Sequence, residues 1–131
     1  MLEAVLNLHF VNMILVLATS TIAGIWGLIL FFMKRAMNRP WRISLIIAAI
    51  DGALQAVLGI ILVLLGQRPA GGDLYYLHYV YGGIVALAFV VAPTLTTSGA
   101  KPRRDVLIYS LTALVIAAAG ARATMTGLGL P

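Results

Sequence analysis

Four ionisable side chains stand in, or at the edge of, long apolar runs: His9, Asp51, His78 and Arg122. Placing such a group in hydrocarbon costs roughly 2.5–3.5 kcal/mol or more, so each marks a candidate site. Two neutral imidazoles on different helices offer their Nε2 lone pairs to one metal, and axial ligation of haem iron is chemistry that suits them. Arg122 suits a haem propionate, because a guanidinium binds a carboxylate through two parallel hydrogen bonds. It also suits snorkelling to the interface, or pairing with Glu3 or Asp73. A flat ring between two helices needs slim neighbours. Gly120 in an alanine-rich stretch, Gly59 and Gly66 meet that need, and Gly82, one turn after His78, thins its own helix. Such small residues equally serve close helix packing in membranes. Asp51 and Gln55 lie one turn apart on one helix face and form a second polar site. Asp51 is expected to carry protons, or to tie helices together through Gln55, Thr112 or Tyr109. Met13, one turn after His9, allows a His–Met site for Cu(I) as a lesser reading.

Long helices must position these groups. The chain has 131 residues, 62% hydrophobic and only 10% charged, with a mean hydropathy of +1.04. Soluble domains run nearer 45–50% apolar and about 25% charged. A soluble enzyme, a disordered chain and a nucleic-acid-binding domain are disfavoured together. Cysteine is absent, which removes disulfides, thiolate metal sites and a Cys nucleophile. No phosphate-binding loop, H-E-x-x-H, G-x-S-x-G or carboxylate pair is present, so no self-contained catalytic motif is expected. Four stretches reach the roughly 20 apolar residues that a transmembrane helix needs: 10–33, 43–66, 74–97 and 106–130. Short connections between them predict an all-α, up-down four-helix bundle forming one integral membrane domain.

The connections set the orientation. The first carries Lys34, Arg35, Arg39 and Arg42, the second Arg68, and the third Lys101, Arg103 and Arg104. The positive-inside rule places the first and third in the cytoplasm and both termini outside. Tyr75, Tyr76 and Tyr79 then fall at the outer interface and Trp41 at the inner one, as aromatic-belt residues. The start MLEAVLNLHF lacks a basic n-region and the first apolar run exceeds an h-region, so the first span is expected to be retained. Pro93 is expected to kink the third span, and Gly24 and Gly27 to let the first helix pack closely. On this topology His9, His78 and Arg122 share the outer leaflet.

The two halves echo each other. Leu8-His9-Phe10-Val11 matches Leu77-His78-Tyr79-Val80. At the same offset of 69 residues, Val16 matches Val85 and Ala23 matches Ala92, while Lys34-Arg35 aligns with Arg103-Arg104. A tandem hairpin repeat would relate the halves by an axis along the membrane normal and set His9 and His78 face to face.

This layout resembles the b-type cytochrome membrane proteins, four-helix haem-binding bundles such as the integral anchors of respiratory dehydrogenases. The resemblance rests on His9, His78, the small residues near them and Arg122, and spans the chain as architecture. It implies His9 and His78 as axial ligands of haem b, Arg122 as a propionate contact, and a role in electron transport within a respiratory or photosynthetic complex. With one histidine pair, a second haem on the inner side is not expected. Two other readings stand beside it. One is a cofactor-free structural subunit. The other is a quinone-binding or small transport protein, with His78, Asp73 and nearby tyrosines meeting a quinone carbonyl. Each implies a multi-pass protein of a prokaryotic-type inner membrane. Its partners would be the lipid bilayer and other membrane subunits or further copies of itself, with no nucleic acid.

Overall fold

Uninterrupted apolar runs without solvent for their backbone groups close their hydrogen bonds within each segment, and the result is helical. The computed structural model describes residues 1–130. It contains α1 (Leu2–Phe32), α2 (Arg39–Leu64), α3 (Tyr76–Leu95) and α4 (Pro102–Gly127), with a short 3-10 turn at Gly72–Leu74 before α3. All four long helices are long and apolar enough to cross a membrane. At 1.5 Å per residue, the 20 residues of α3 span about 30 Å, the thickness of a bilayer's hydrocarbon core.

Local chemistry sets the ends. Asn38 caps α2 by accepting the Trp41 amide at 2.9 Å, and Pro40 and Pro102 occupy the first turns of α2 and α4, where a missing N–H is harmless. The Asp105 carboxylate ties the α3–α4 loop to the head of α4. It accepts the Thr97 and Gly99 amides at 2.7 and 3.0 Å, and the Thr97 hydroxyl at 2.9–3.0 Å. α1 starts eight residues before the expected span at 10–33, which places His9 two turns inside the helix. Pro93 lies in the last turn of α3 and so marks its end, where the expected kink has no following helix to redirect.

Helices α1 and α2, α3 and α4, and α1 and α4 pack extensively, whereas the α2–α3 seam is thinner. α1 and α3 therefore stand diagonally across the bundle. Along α1, Val16, Ala23 and Leu30 recur every seven residues on the buried side, and α3 repeats the spacing with Val85 and Ala92. Continuing each series one step toward the start of its helix reaches His9 and His78. Val16 and Val85 meet in one apolar cluster with Ile116 and Ala119. The opposite half holds a second cluster around Trp41, Ala23, Leu45, Val106 and Ala113.

Trp41 departs from the aromatic-belt expectation. It is fully buried, and its indole N–H donates to the Ala23 carbonyl at 2.9 Å. The space comes from Gly27, where a Cβ would collide with the Trp41 ring at 2.5 Å and with the Ser110 hydroxyl. Gly24 likewise lets α4 approach, since a Cβ there would lie 2.6 Å from Leu114. Close backbone approach at small residues is how membrane helices gain packing contact when burial from water offers none.

Candidate functional site

The end of the bundle where α1 and α3 begin gathers His9, His78, Gln55 and Arg68. The His9 and His78 rings converge from the diagonal helices with centroids 6.2 Å apart and planes inclined at 58°. They share a cavity of about 440 Å³, within the range of small-molecule sites. Phe10, Met13, Leu62 and Val63 form apolar wall, and Gln55, Gln67 and Arg68 add polar groups.

The two rings are held differently. His78 Nδ1 lies 2.8 Å from the Ala123 carbonyl. A carbonyl only accepts, so Nδ1 carries a proton, and in the neutral ring that leaves the lone pair on Nε2. The ring rests against Gly127, where a Cβ would stand 3.0 Å from Cε1. His9 has no such clamp. Its Nδ1 is buried without a hydrogen-bond partner, and its Nε2 has only the Gln55 amide nitrogen at 3.4 Å, beyond the usual range. Gly59 stands beside it with space for a Cβ at 3.6 Å from the ring.

A ladder of amides supports His9 from below. Gln55 donates to the His9 carbonyl at 3.1 Å. Asn12 on α1 donates both its amide hydrogens to α2: one to the Gln55 side-chain oxygen at 2.9 Å, one to the Asp51 carbonyl at 2.8 Å. Asn12 is 3% exposed, and its Oδ1 is the other buried polar atom without a partner among the described residues. The Asp51 carboxylate accepts the Thr19 hydroxyl at 3.1 Å. Its partners are thus Thr19 and, through its backbone, Asn12, in place of the expected Gln55, Thr112 or Tyr109. Asn12 was not singled out in the sequence. Its place three residues after His9, on the same helix face, is the signal that could have found it.

The structure does not gather all the expected residues here. Arg122 is absent from the cavity wall. Its guanidinium lies 5.7 Å from the centre of the Tyr81 ring and 3.6 Å from the Met125 sulfur. Gly120 faces α1, where a Cβ would lie 3.2 Å from Leu17 and 3.8 Å from Val16, so its smallness serves helix packing. Gly82 has open space beside it and also lies off the cavity wall. Arg68, at the start of the α2–α3 connection, does line the cavity, 5.5 Å from the Tyr75 ring centre.

The chain matches no protein-family model, no curated protein and no solved structure. Its chemistry is therefore read from its own residues. Two imidazoles bound to one metal ion, at about 2 Å per metal–nitrogen bond plus the half-width of each ring, place their centroids on the order of 6 Å apart. The separation here is 6.2 Å. His78 has its outer nitrogen anchored to a carbonyl, the usual arrangement for a metal-ligating histidine. His9 has neither nitrogen engaged by a short bond. No third side chain of the His, Cys, Asp or Glu type joins them among the described residues. The residues present therefore fit a bis-imidazole haem.

Proposed function

We propose that the protein is a multi-pass membrane electron carrier that holds haem b between His9 and His78. One observation carries this reading: two imidazoles on diagonal helices with centroids 6.2 Å apart, one tautomer set by a carbonyl and the other ring unengaged. When bound, the iron supplies one-electron redox chemistry. The chain orients the His78 lone pair through Ala123 and Gly127, surrounds the site with Phe10, Met13 and Leu62, and offers Arg68 as the cation within reach of a propionate. Arg68 takes the part that the resemblance gives to Arg122, because Arg68 lines the cavity. The basic first and third connections favour the cytoplasmic side. The histidine site then opens toward the outer face of a prokaryotic-type inner membrane, where electrons pass between quinol and an outer partner.

The visible spectrum of the purified protein tests this. A Soret band that sharpens on dithionite reduction and is lost in both His9→Ala and His78→Ala supports the reading. A colourless, folded, stable wild-type protein overturns it, leaving a quinone site or a cofactor-free subunit. Orientation is read separately. Asp73→Cys should react with an impermeant thiol reagent added outside and Ala36→Cys should not; the reverse pattern inverts the topology.

A further inference from the structure

At the opposite end, the thin α2–α3 seam leaves a second and larger cavity of about 1000 Å³. Arg39 and Arg42, one turn apart at the head of α2, stand at its mouth. Neither guanidinium makes a hydrogen bond or ion pair among the described residues, and α2 has no acidic residue in its first turn to offset them. Asp105, the one carboxylate on the wall, is already engaged by Thr97 and Gly99. Below the arginines the lining turns apolar with Ile43, Ile46 and Pro93. A smaller cavity of about 240 Å³ shares Arg42 and Ile46 and continues the crevice past Leu45 to Ala49 and Phe89. From Arg39 to Ala49 the crevice follows α2 for ten residues, about 15 Å. That is half the 30 Å hydrocarbon thickness, the depth of one leaflet.

We propose that this crevice binds one anionic phospholipid, its phosphate on Arg39 and Arg42 and one acyl chain laid along Ile46 and Ala49 between α2 and α3. Charge selects the headgroup, since two guanidiniums in the low dielectric of the interface seek phosphate oxygens. The apolar lower half selects a lipid over a free anion, which would leave that half unfilled. A neutral lipid could fill the crevice but would leave the arginines without a counter-charge. The site is independent of the haem reading, because it shares no residue with the histidine cavity.

The test titrates detergent-purified protein with phosphatidylglycerol or phosphatidylcholine and reads bound lipid by native mass spectrometry. Wild type should prefer phosphatidylglycerol. Each arginine is expected to contribute about five-fold in affinity, so Arg39→Gln/Arg42→Gln should weaken binding about 30-fold. Arg35→Gln, in the loop just before α2 and outside the crevice, should leave it unchanged. Ile46→Ser, at an exposed position that the fold does not depend on, should also weaken it, and Ala49→Phe provides a second block to the chain. Equal binding of the two lipids, or equal loss in Arg35→Gln and the double variant, overturns the proposal. Competition by inorganic phosphate, with no effect of Ile46→Ser or Ala49→Phe, overturns it in favour of a plain anion site.

Discussion

The two hairpins, α1–α2 and α3–α4, perform the same task by different means. Residues 69 apart occupy matching places: Val16 and Val85 meet in the core, Ala23 and Ala92 are both buried, and His9 and His78 converge at one end of the bundle. The difference lies in what holds each imidazole. In the second hairpin the backbone does it, through the Ala123 carbonyl and the bare Cα of Gly127. In the first, side chains do it at one remove, with Asn12 holding Gln55 and Gln55 standing loosely at the ring. A ring clamped by backbone has one orientation. A ring backed by amides is less constrained, which suits the shared haem proposed above.

Several measurements would break or sharpen this contrast. The largest stability effect is expected away from both histidines. Trp41→Ala empties the buried apolar cluster that the hairpins share, and should cost about 3 kcal/mol or more, read as a lowered unfolding midpoint in detergent. Similar loss from an outer-end variant such as Phe10→Ala would mean that the two ends are equally packed. Next, His78→Ala and His9→Ala should each abolish the reduced-minus-oxidised spectrum. Added imidazole should restore more signal in His9→Ala, where no backbone clamp remains to be matched; equal rescue would erase the asymmetry. Third, Gly127→Ala should perturb the spectrum and lower stability by about 1 kcal/mol, because its Cβ meets the His78 ring at 3.0 Å. Gly59→Ala, with its Cβ at 3.6 Å from the His9 ring, should be close to neutral. The reverse order would show that His9 is the fixed ring. Comparable in size is Gln55→Leu, which removes two interhelical hydrogen bonds, one accepted from Asn12 and one donated to the His9 carbonyl. It should cost about 1 kcal/mol and shift the midpoint potential of the proposed haem without loss of occupancy.

The elements were legible from composition because apolar runs of this length have few alternatives to helix. The facing of His9 and His78 was legible from two features together: an exact offset between repeated tetrapeptides, and the up-down topology that short connections impose. What lay beyond the sequence is rotation about each helix axis. These helices are apolar nearly all round, so polarity does not reveal which face meets a neighbour. Hence Trp41 read as an interfacial anchor when it is the centre of the inner core. Gly120 read as clearance for a ring when it receives Leu17. Arg122 lies toward the same end of the bundle as the histidines but points along Tyr81, and Arg68, in a loop, reaches the cavity instead. Asp51 found Thr19 across the α1–α2 interface, a pairing that depends on helix register and leaves no trace in local spacing.

The thin α2–α3 seam has a consequence for assembly. With α1 and α4 joined firmly along the opposite side, the hairpins can swing apart like the covers of a book whose spine is the α1–α4 contact. Such an opening would begin at the least-packed edge, the α2–α3 seam. A broad, flat, greasy molecule already dissolved in the bilayer would then enter sideways, between the pages, with no need to thread past the ends or to unfold either half.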